Sequence, residues 1–180
     1  MHLRSSQPSK GNLNYGIIGN CKSSALINED SSIEWCCLPQ FDSASVFGKI
    51  LDDEIGGAFR IECDDSYKIS QKYLDKTAIL LTRFDNGTDV FQLLDFMPRY
   101  QKDNGVYYAP PEITRLVKVI KGNPLIKVLY DPRLEYGQGE TKNYVKDDFI
   151  VSVVDDERYD TLTLYTDLDK TSVLSGDEIK

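Results

Sequence analysis

The sequence predicts an all-β domain of the sandwich or barrel kind, and three observations carry that reading. From Tyr67 onward, short extended runs are separated by turn residues at intervals of about ten. Within Tyr67-Lys68-Ile69-Ser70-Gln71-Lys72-Tyr73 the larger side chains fall on every second position, and Thr161 to Thr166 repeats the alternation, as strands with one buried face require. Val90 to Leu94 and Leu116 to Ile120 instead carry apolar residues on both faces. Strands of that kind are covered on two sides, by a second sheet or by a neighbouring domain.

Residues 1–14 form a polar leader and are expected to be flexible. A strand then begins at Tyr15, turns at Asn28 to Ser32, and returns through Ile33-Glu34-Trp35. Pro39 bounds a loop that delivers Phe41 and Asp42 to a short helix near residues 43–51. There Val46, Phe47, Ile50 and Leu51 stand at helical spacing, and Asp42 or Ser43 can cap the first amides. Gly56-Gly57 releases the chain into a strand from Ala58 to Cys63. Ala78 to Phe84 and Thr88 to Met97 are predicted to form a hairpin across Asp85-Asn86-Gly87, because Asn-Gly suits turns with positive φ. Glu112 to Lys121 and Leu125 to Tyr130 are predicted to pair around Gly122-Asn123-Pro124, and Tyr144 to Lys146 with Phe149 to Asp155 around Asp147-Asp148.

Composition removes several functions. The 180 residues hold 21 Lys and Arg against 29 Asp and Glu, a net charge of −8. An acidic chain with no basic stripe visible along it points to no nucleic acid as main partner. The only histidine is His2, inside the leader, which leaves no Ser-His-Asp or Cys-His group and no His-bearing zinc site. Cys21, Cys36, Cys37 and Cys63 contain no C-x-x-C pair and read as small buried hydrophobes, so neither a metal nor a cofactor is expected. No apolar run approaches the ~20 residues of a spanning helix, and the leader lacks the apolar centre of a signal peptide. A cytoplasmic domain with no membrane partner is the expectation.

The stretch from Tyr15 to Leu51 is the most distinctive. Its Tyr15, Ile18, Gly19, Asn20, Ala25, Leu26, Ile33, Glu34, Trp35, Pro39, Phe41, Asp42, Ser43, Val46 and Phe47 resemble the opening of the N-terminal domain of glycoside hydrolase family 15 proteins of the bacterial and archaeal kind. That group includes glucoamylases, glucodextranases and trehalases. Tyr73 to Leu80, Leu94 to Pro98, Ile113 to Arg115 and Asp131 to Gly137 continue the likeness in order. Gln40 replaces the usual arginine, and Ser31-Ser32 stands where the family's turn has glycine.

The resemblance implies an antiparallel super-β-sandwich over residues 15–180, followed by a helical (α/α)6 barrel in the same chain. In that barrel two glutamates would hydrolyse α-glucosidic bonds with inversion, one as acid and one as base, ~6.5–9.5 Å apart. No catalytic residue is expected within this segment. Its implied partners are the barrel and, through the parent enzyme, an α-glucoside; without the barrel an apolar face would be exposed and a homodimer could form through it. Trp35, Pro39, Phe41 and Asp42 are the candidate substrate-binding residues, an aromatic and carboxylate loop at the cleft rim. The plainer reading makes Trp35 core and Asp42 a helix cap. A freestanding carbohydrate-binding or protein-interaction sandwich is the alternative for the whole. Asp95, an acid inside an apolar strand, is expected to pair internally with a neighbour such as Arg115.

Overall fold

A computed structural model describes residues 14–154 and 161–180. Among these, sixteen strands form: β1 (Gly16–Gly19), β2 (Ser24–Ile27), β3 (Ile33–Cys37), β4 (Ser45–Phe47), β5 (Ala58–Glu62), β6 (Lys68–Tyr73), β7 (Leu80–Asp85), β8 (Val90–Phe96), β9 (Tyr100–Gln101), β10 (Tyr107–Tyr108), β11 (Thr114–Lys121), β12 (Ile126–Asp131), β13 (Thr141–Val145), β14 (Phe149–Val154), β15 (Thr161–Tyr165) and β16 (Glu178–Ile179). One α-helix, α1 (Lys170–Ser175), precedes the last strand.

The strands build one long sheet in the order β1-β2-β3-β5-β12-β16 with β4 added to β3, a four-stranded sheet β11-β8-β7-β6, a three-stranded sheet β13-β14-β15, and a separate ribbon β9-β10. All pairings are antiparallel. Register aligns Ile18, Ala25, Cys36 and Phe47 across the long sheet, each at most 2% exposed. The facing core residues of the four-stranded sheet include Phe84 and Phe91, stacked 4.3 Å apart at 5°. Cross-strand aromatic pairs of this kind add to the stability given by area burial.

Both smaller sheets lie on the same side of the long one. Phe59 and Tyr130 are register partners and so share a face. The Arg115 guanidinium of the four-stranded sheet sits 4.7 Å over the Phe59 ring, while the Tyr130 hydroxyl lies 3.2 Å from Ser152 Oγ of the three-stranded sheet. The result is a two-layer sandwich in which a continuous sheet is covered by two shorter ones.

Asp95 and Arg115 fasten the layers. They are direct partners on β8 and β11, with Arg115 Nε donating to Asp95 Oδ1 at 2.8 Å. Their side chains are 0% and 4% exposed. The guanidinium also donates to Asp95 Oδ2 at 3.3 Å and crosses to the opposite layer, to the Phe59 carbonyl of β5 at 2.6 Å and to the Ser31 carbonyl in the turn before β3. A buried charge must be compensated this completely to be tolerated. Burial drives the Asp95 carboxyl above the ordinary carboxylate range, against the opposing pull of Arg115.

The expected all-β antiparallel sandwich therefore forms, with one short helix, but two details differ. The helix is not near residues 43–51: Ser45–Phe47 is β4, buried throughout against β3, and residues 49–51 form a turn. The apparent helical spacing arises from a buried strand followed by a tight reversal, in which the Gly48 amide donates to the Gly56 carbonyl at 2.7 Å. A side chain at Gly56 would meet the Gly48 carbonyl at 2.4 Å, which fixes glycine there. The helix lies at Lys170–Ser175 instead, capped by the Asp169 carboxylate on the Ser172 amide and ended by Gly176 at φ 71°. Nor do Glu112–Lys121 and Leu125–Tyr130 form a hairpin. β11 pairs with β8 and β12 with β5 and β16, so Gly122-Asn123-Pro124 carries the chain from one layer to the other. The hairpins at Asp85-Asn86-Gly87 and Asp147-Asp148 do form. Residues 1–13 of the leader and the acidic group at 155–157 lie outside the described residues.

Candidate functional site

The four candidate residues follow one another on β3 and the connection to β4, and the structure divides them. Trp35 is mid-strand, paired with Leu26, which is paired with Ile17. Ile18, Ala25 and Cys36 occupy the inner face, so Ile17, Leu26 and Trp35 form a row on the outer face of the long sheet. Trp35 is half-buried there, outside the core to which the plainer reading assigned it.

Beyond β3 the chain turns through a cis Leu38-Pro39 bond into residues 39–42, all exposed. The turn is held by its main chain together with the hydroxyls of Ser43 and Tyr136. The Phe41 amide donates to the Lys22 carbonyl at 3.0 Å, the Ser43 amide to the Gln40 carbonyl at 3.1 Å, and the Gln40 amide to Ser43 Oγ at 3.1 Å. The Tyr136 hydroxyl reaches the Ser43 carbonyl at 3.4 Å. Phe41 is thus left 61% exposed on a fixed backbone. Asp42 caps no helix, since none follows it; it stands in solvent on the same turn.

Three loops meet at this end of the molecule. Tyr136 ties residues 135–137 to the Ser43 loop, and the Arg133 amide donates to the Val46 carbonyl at 2.9 Å. Gly137 approaches the Ile55 carbonyl so closely that an added Cβ would lie 2.8 Å from it. Phe41, Leu51, Ile55 and Tyr136 are all prominently exposed on these loops.

A carboxylate that the candidate set omits lies beside Trp35. Glu34 is 8% exposed and accepts from the Tyr15 hydroxyl at 2.6 Å and from Asn28 Nδ2 at 2.9 Å. Burial, the hydrogen bond to Glu34 and the nearby negative charges of Glu34 and Asp53 all push the Tyr15 phenol upward. Glu34 is the extra residue of a bulge, since Ile27 pairs with Ile33 and Leu26 with Trp35. An acid within an otherwise apolar strand is the sequence signal for it, as it is for Asp95.

Chemically, this assembly can stack, accept and donate hydrogen bonds, but it holds no activated nucleophile. Burial, with the neighbouring Cys37 adding to it, pushes the Cys36 thiol up to about 12; burial and nearby acids do the same for Cys63. Neither is a thiolate at neutral pH. Among the described residues no group of three or more metal-ligating side chains comes together, and no helix is long and apolar enough to cross a membrane. A separate shallow cleft of about 510 Å³ runs between Asn20 and Tyr100, and none of Trp35, Pro39, Phe41 and Asp42 lines it.

Comparison with known proteins adds what geometry alone does not. The family model described as "Trehalase-like, N-terminal" matches residues 11–159. Trehalase 2 of Sulfolobus acidocaldarius is 43% identical over 131 residues, covering 72% of this chain and 21% of that protein. The trehalase of Thermoplasma volcanium is 35% identical over 127 residues, 69% of this chain and 20% of its own length. That of Mycolicibacterium smegmatis is 39% identical over 75 residues, 41% of this chain and 11% of its own length. The chain spans about a fifth of the first two relatives. No solved structure matches it significantly. With most of its length inside one family match, the chain belongs to the family of trehalase-like N-terminal domains.

Proposed function

We propose that this chain is the non-catalytic N-terminal domain of a cytoplasmic glycoside hydrolase of family 15 type, acting on an α-linked glucoside such as trehalose. The observation that carries the reading is the family match over residues 11–159 together with relatives, named trehalases, of which that region is only about a fifth. The inverting pair of glutamates belongs on this reading to a helical barrel, and the sandwich supports that barrel. The turn carrying Pro39, Phe41 and Asp42 would sit at the rim of the cleft. There the exposed Phe41 ring offers a stacking surface for a sugar and Asp42 an acceptor for its hydroxyls.

Two proteins test this. The 180-residue polypeptide alone is expected to release no glucose from trehalose, maltose or dextran. A chimera in which residues 14–154 replace the matching segment of Trehalase 2 of Sulfolobus acidocaldarius is expected to hydrolyse trehalose. Sugar release by the polypeptide alone, or a well-folded chimera without activity, would overturn the reading.

A further inference from the structure

Register gives the four-stranded sheet an outer face whose composition departs from the rest of the chain. One cross-strand row is Lys72, Leu81, Leu94 and Leu116; the next is Ser70, Arg83, Gln92 and Lys118. A third joins Lys68, Asp85, Val90 and Lys121. The alternate positions, among them Leu80, Thr82, Phe84, Phe91, Leu93 and Asp95, point into the sandwich and are at most 1% exposed. Five cations and one carboxylate therefore share a single face of a chain whose net charge is −8. Arg83 pairs with Asp85 at 2.8 Å, and Lys121 Nζ donates to the Gly87 carbonyl. Lys68, Lys72 and Lys118 are exposed and pair with no carboxylate among the described residues. Beside the cations runs the apolar row, ended by Lys72, in which Leu81 is 8% exposed and Leu116, on the edge strand, 54%.

We propose that this outer face is the surface by which the domain docks onto a carboxylate-rich flank of its parent enzyme's catalytic body; the inference rests on the function proposed above. The choice of face follows from charge. An acidic partner is repelled by most of this chain and attracted only where the cations gather, so the field selects the orientation before contact is made. The choice of a protein partner follows from the leucines. A leucine row adjoining a group of cations offers a protein partner apolar area and complementary charge side by side. The edge supports it as well: β11 is eight residues long, and among the described residues only β8 pairs with it. Long exposed edges are normally covered or charged, and Lys118 and Lys121 keep this one from pairing with unrelated strands. Finally, the matched region is only about a fifth of the relatives' length, so a large body is at hand to occupy the face.

The test reverses the charge. In the chimera described above, Lys72→Glu, Arg83→Glu and Lys118→Glu together are expected to split a single thermal unfolding transition into two. The split should lessen at about 0.5 M salt, where the introduced repulsion is screened. The 180-residue chain with the same substitutions should still unfold in a single transition, its melting temperature lowered only slightly by loss of the exposed Arg83–Asp85 pair. Should the triple variant misfold, Lys118→Gln alone is expected to weaken the salt dependence of chimera unfolding. A reversed chimera that unfolds in one transition like its parent overturns the proposal. So does a dimer of the isolated chain that the same substitutions dissolve, which would assign the face to a second copy. Trehalose hydrolysis reports on the proposed function and the number of transitions on the docking face. A chimera that is inactive yet split by the reversal would sink the former and keep the latter.

Discussion

At the centre of the sandwich, Asp95 is 0% exposed and its Arg115 partner spends its hydrogens on one carboxylate and two carbonyls from the opposite layer. At the end of the molecule, Phe41 and Asp42 stand in solvent on a turn whose shape is set by hydrogen bonds of its main chain and of the Ser43 and Tyr136 hydroxyls. In sequence both regions share an acid beside an aromatic, Asp95-Phe96 within an apolar strand and Phe41-Asp42 just after one. What separates them is whether the polar groups are already satisfied by the fold. Asp95 has nothing left to offer a ligand; Asp42 and Phe41 have almost everything left.

Removing Arg115 should have the largest effect. Arg115→Leu leaves a buried carboxylate uncompensated and is expected to cost about 3–5 kcal/mol, read as a lowered urea midpoint of the 180-residue chain. Adding Asp95→Leu should recover part of the loss, but the Ser31 and Phe59 carbonyls stay without their donor. The deficit should also depend on pH. Burial holds the Asp95 carboxyl above its unfolded value, so the native state binds the proton more tightly than the unfolded chain. The stability linked to that proton is fully present below the unfolded pKa and lost as pH rises through the folded one. Without Arg115 the folded value rises further. The deficit of Arg115→Leu should therefore shrink from about pH 7 to about pH 4. A pH-independent deficit would mean that lost packing, rather than an unpaired charge, accounts for it.

A smaller effect is expected where the third sheet is joined. Tyr130→Phe removes one hydroxyl, 3.2 Å from Ser152 Oγ, but Ser152 retains its bond to Asn143 Oδ1 at 2.6 Å. A cost of about 1 kcal/mol is expected from urea unfolding. A cost several times larger would place this joint with Arg115 as a main fastening between layers.

The Asp95–Arg115 pair was legible in the sequence because an acid in a continuous apolar strand must find a cation, and the adjacent strand offered one. The hairpin at Asp85-Asn86-Gly87 was legible because its turn chemistry is local. Residues 43–51 misled because a three-residue strand buried on all sides shows no alternation, so Val46, Phe47, Ile50 and Leu51 mimic a helical face. Gly122-Asn123-Pro124 signals a turn but not which sheet the chain enters next. Helix α1 carries its cap at Asp169 and its stop at Gly176, yet six residues are too few to show a period. The basic face was invisible for a different reason: Lys68, Lys72, Arg83, Lys118 and Lys121 are dispersed over three strands and more than fifty residues, and only register gathers them. At the candidate site, residue types were readable, but not the outward orientation of Trp35 or the exposure of Phe41.

The smallest expected change in stability is also the most informative about function. Phe41→Ala removes a side chain that is 61% exposed, while the turn's hydrogen bonds run through backbone atoms and the Ser43 hydroxyl, which the substitution leaves in place. Urea unfolding of the 180-residue chain should move by no more than about 0.5 kcal/mol. Trp35→Phe, on a half-buried row beside Leu26, should cost about 1 kcal/mol or more in the same measurement, because it gives up packing as well as an indole. In the chimera the order should invert. A ring at the cleft rim that binds substrate alike in ground and transition states raises KM when removed and leaves kcat in place. Phe41→Ala is then expected to raise KM for trehalose at unchanged melting temperature, whereas Trp35→Phe lowers the melting temperature with little change in KM. If both variants lose stability and neither alters KM, the exposed turn is no part of the cleft, and Phe41 belongs with Leu51, Ile55 and Tyr136 to a surface of another kind.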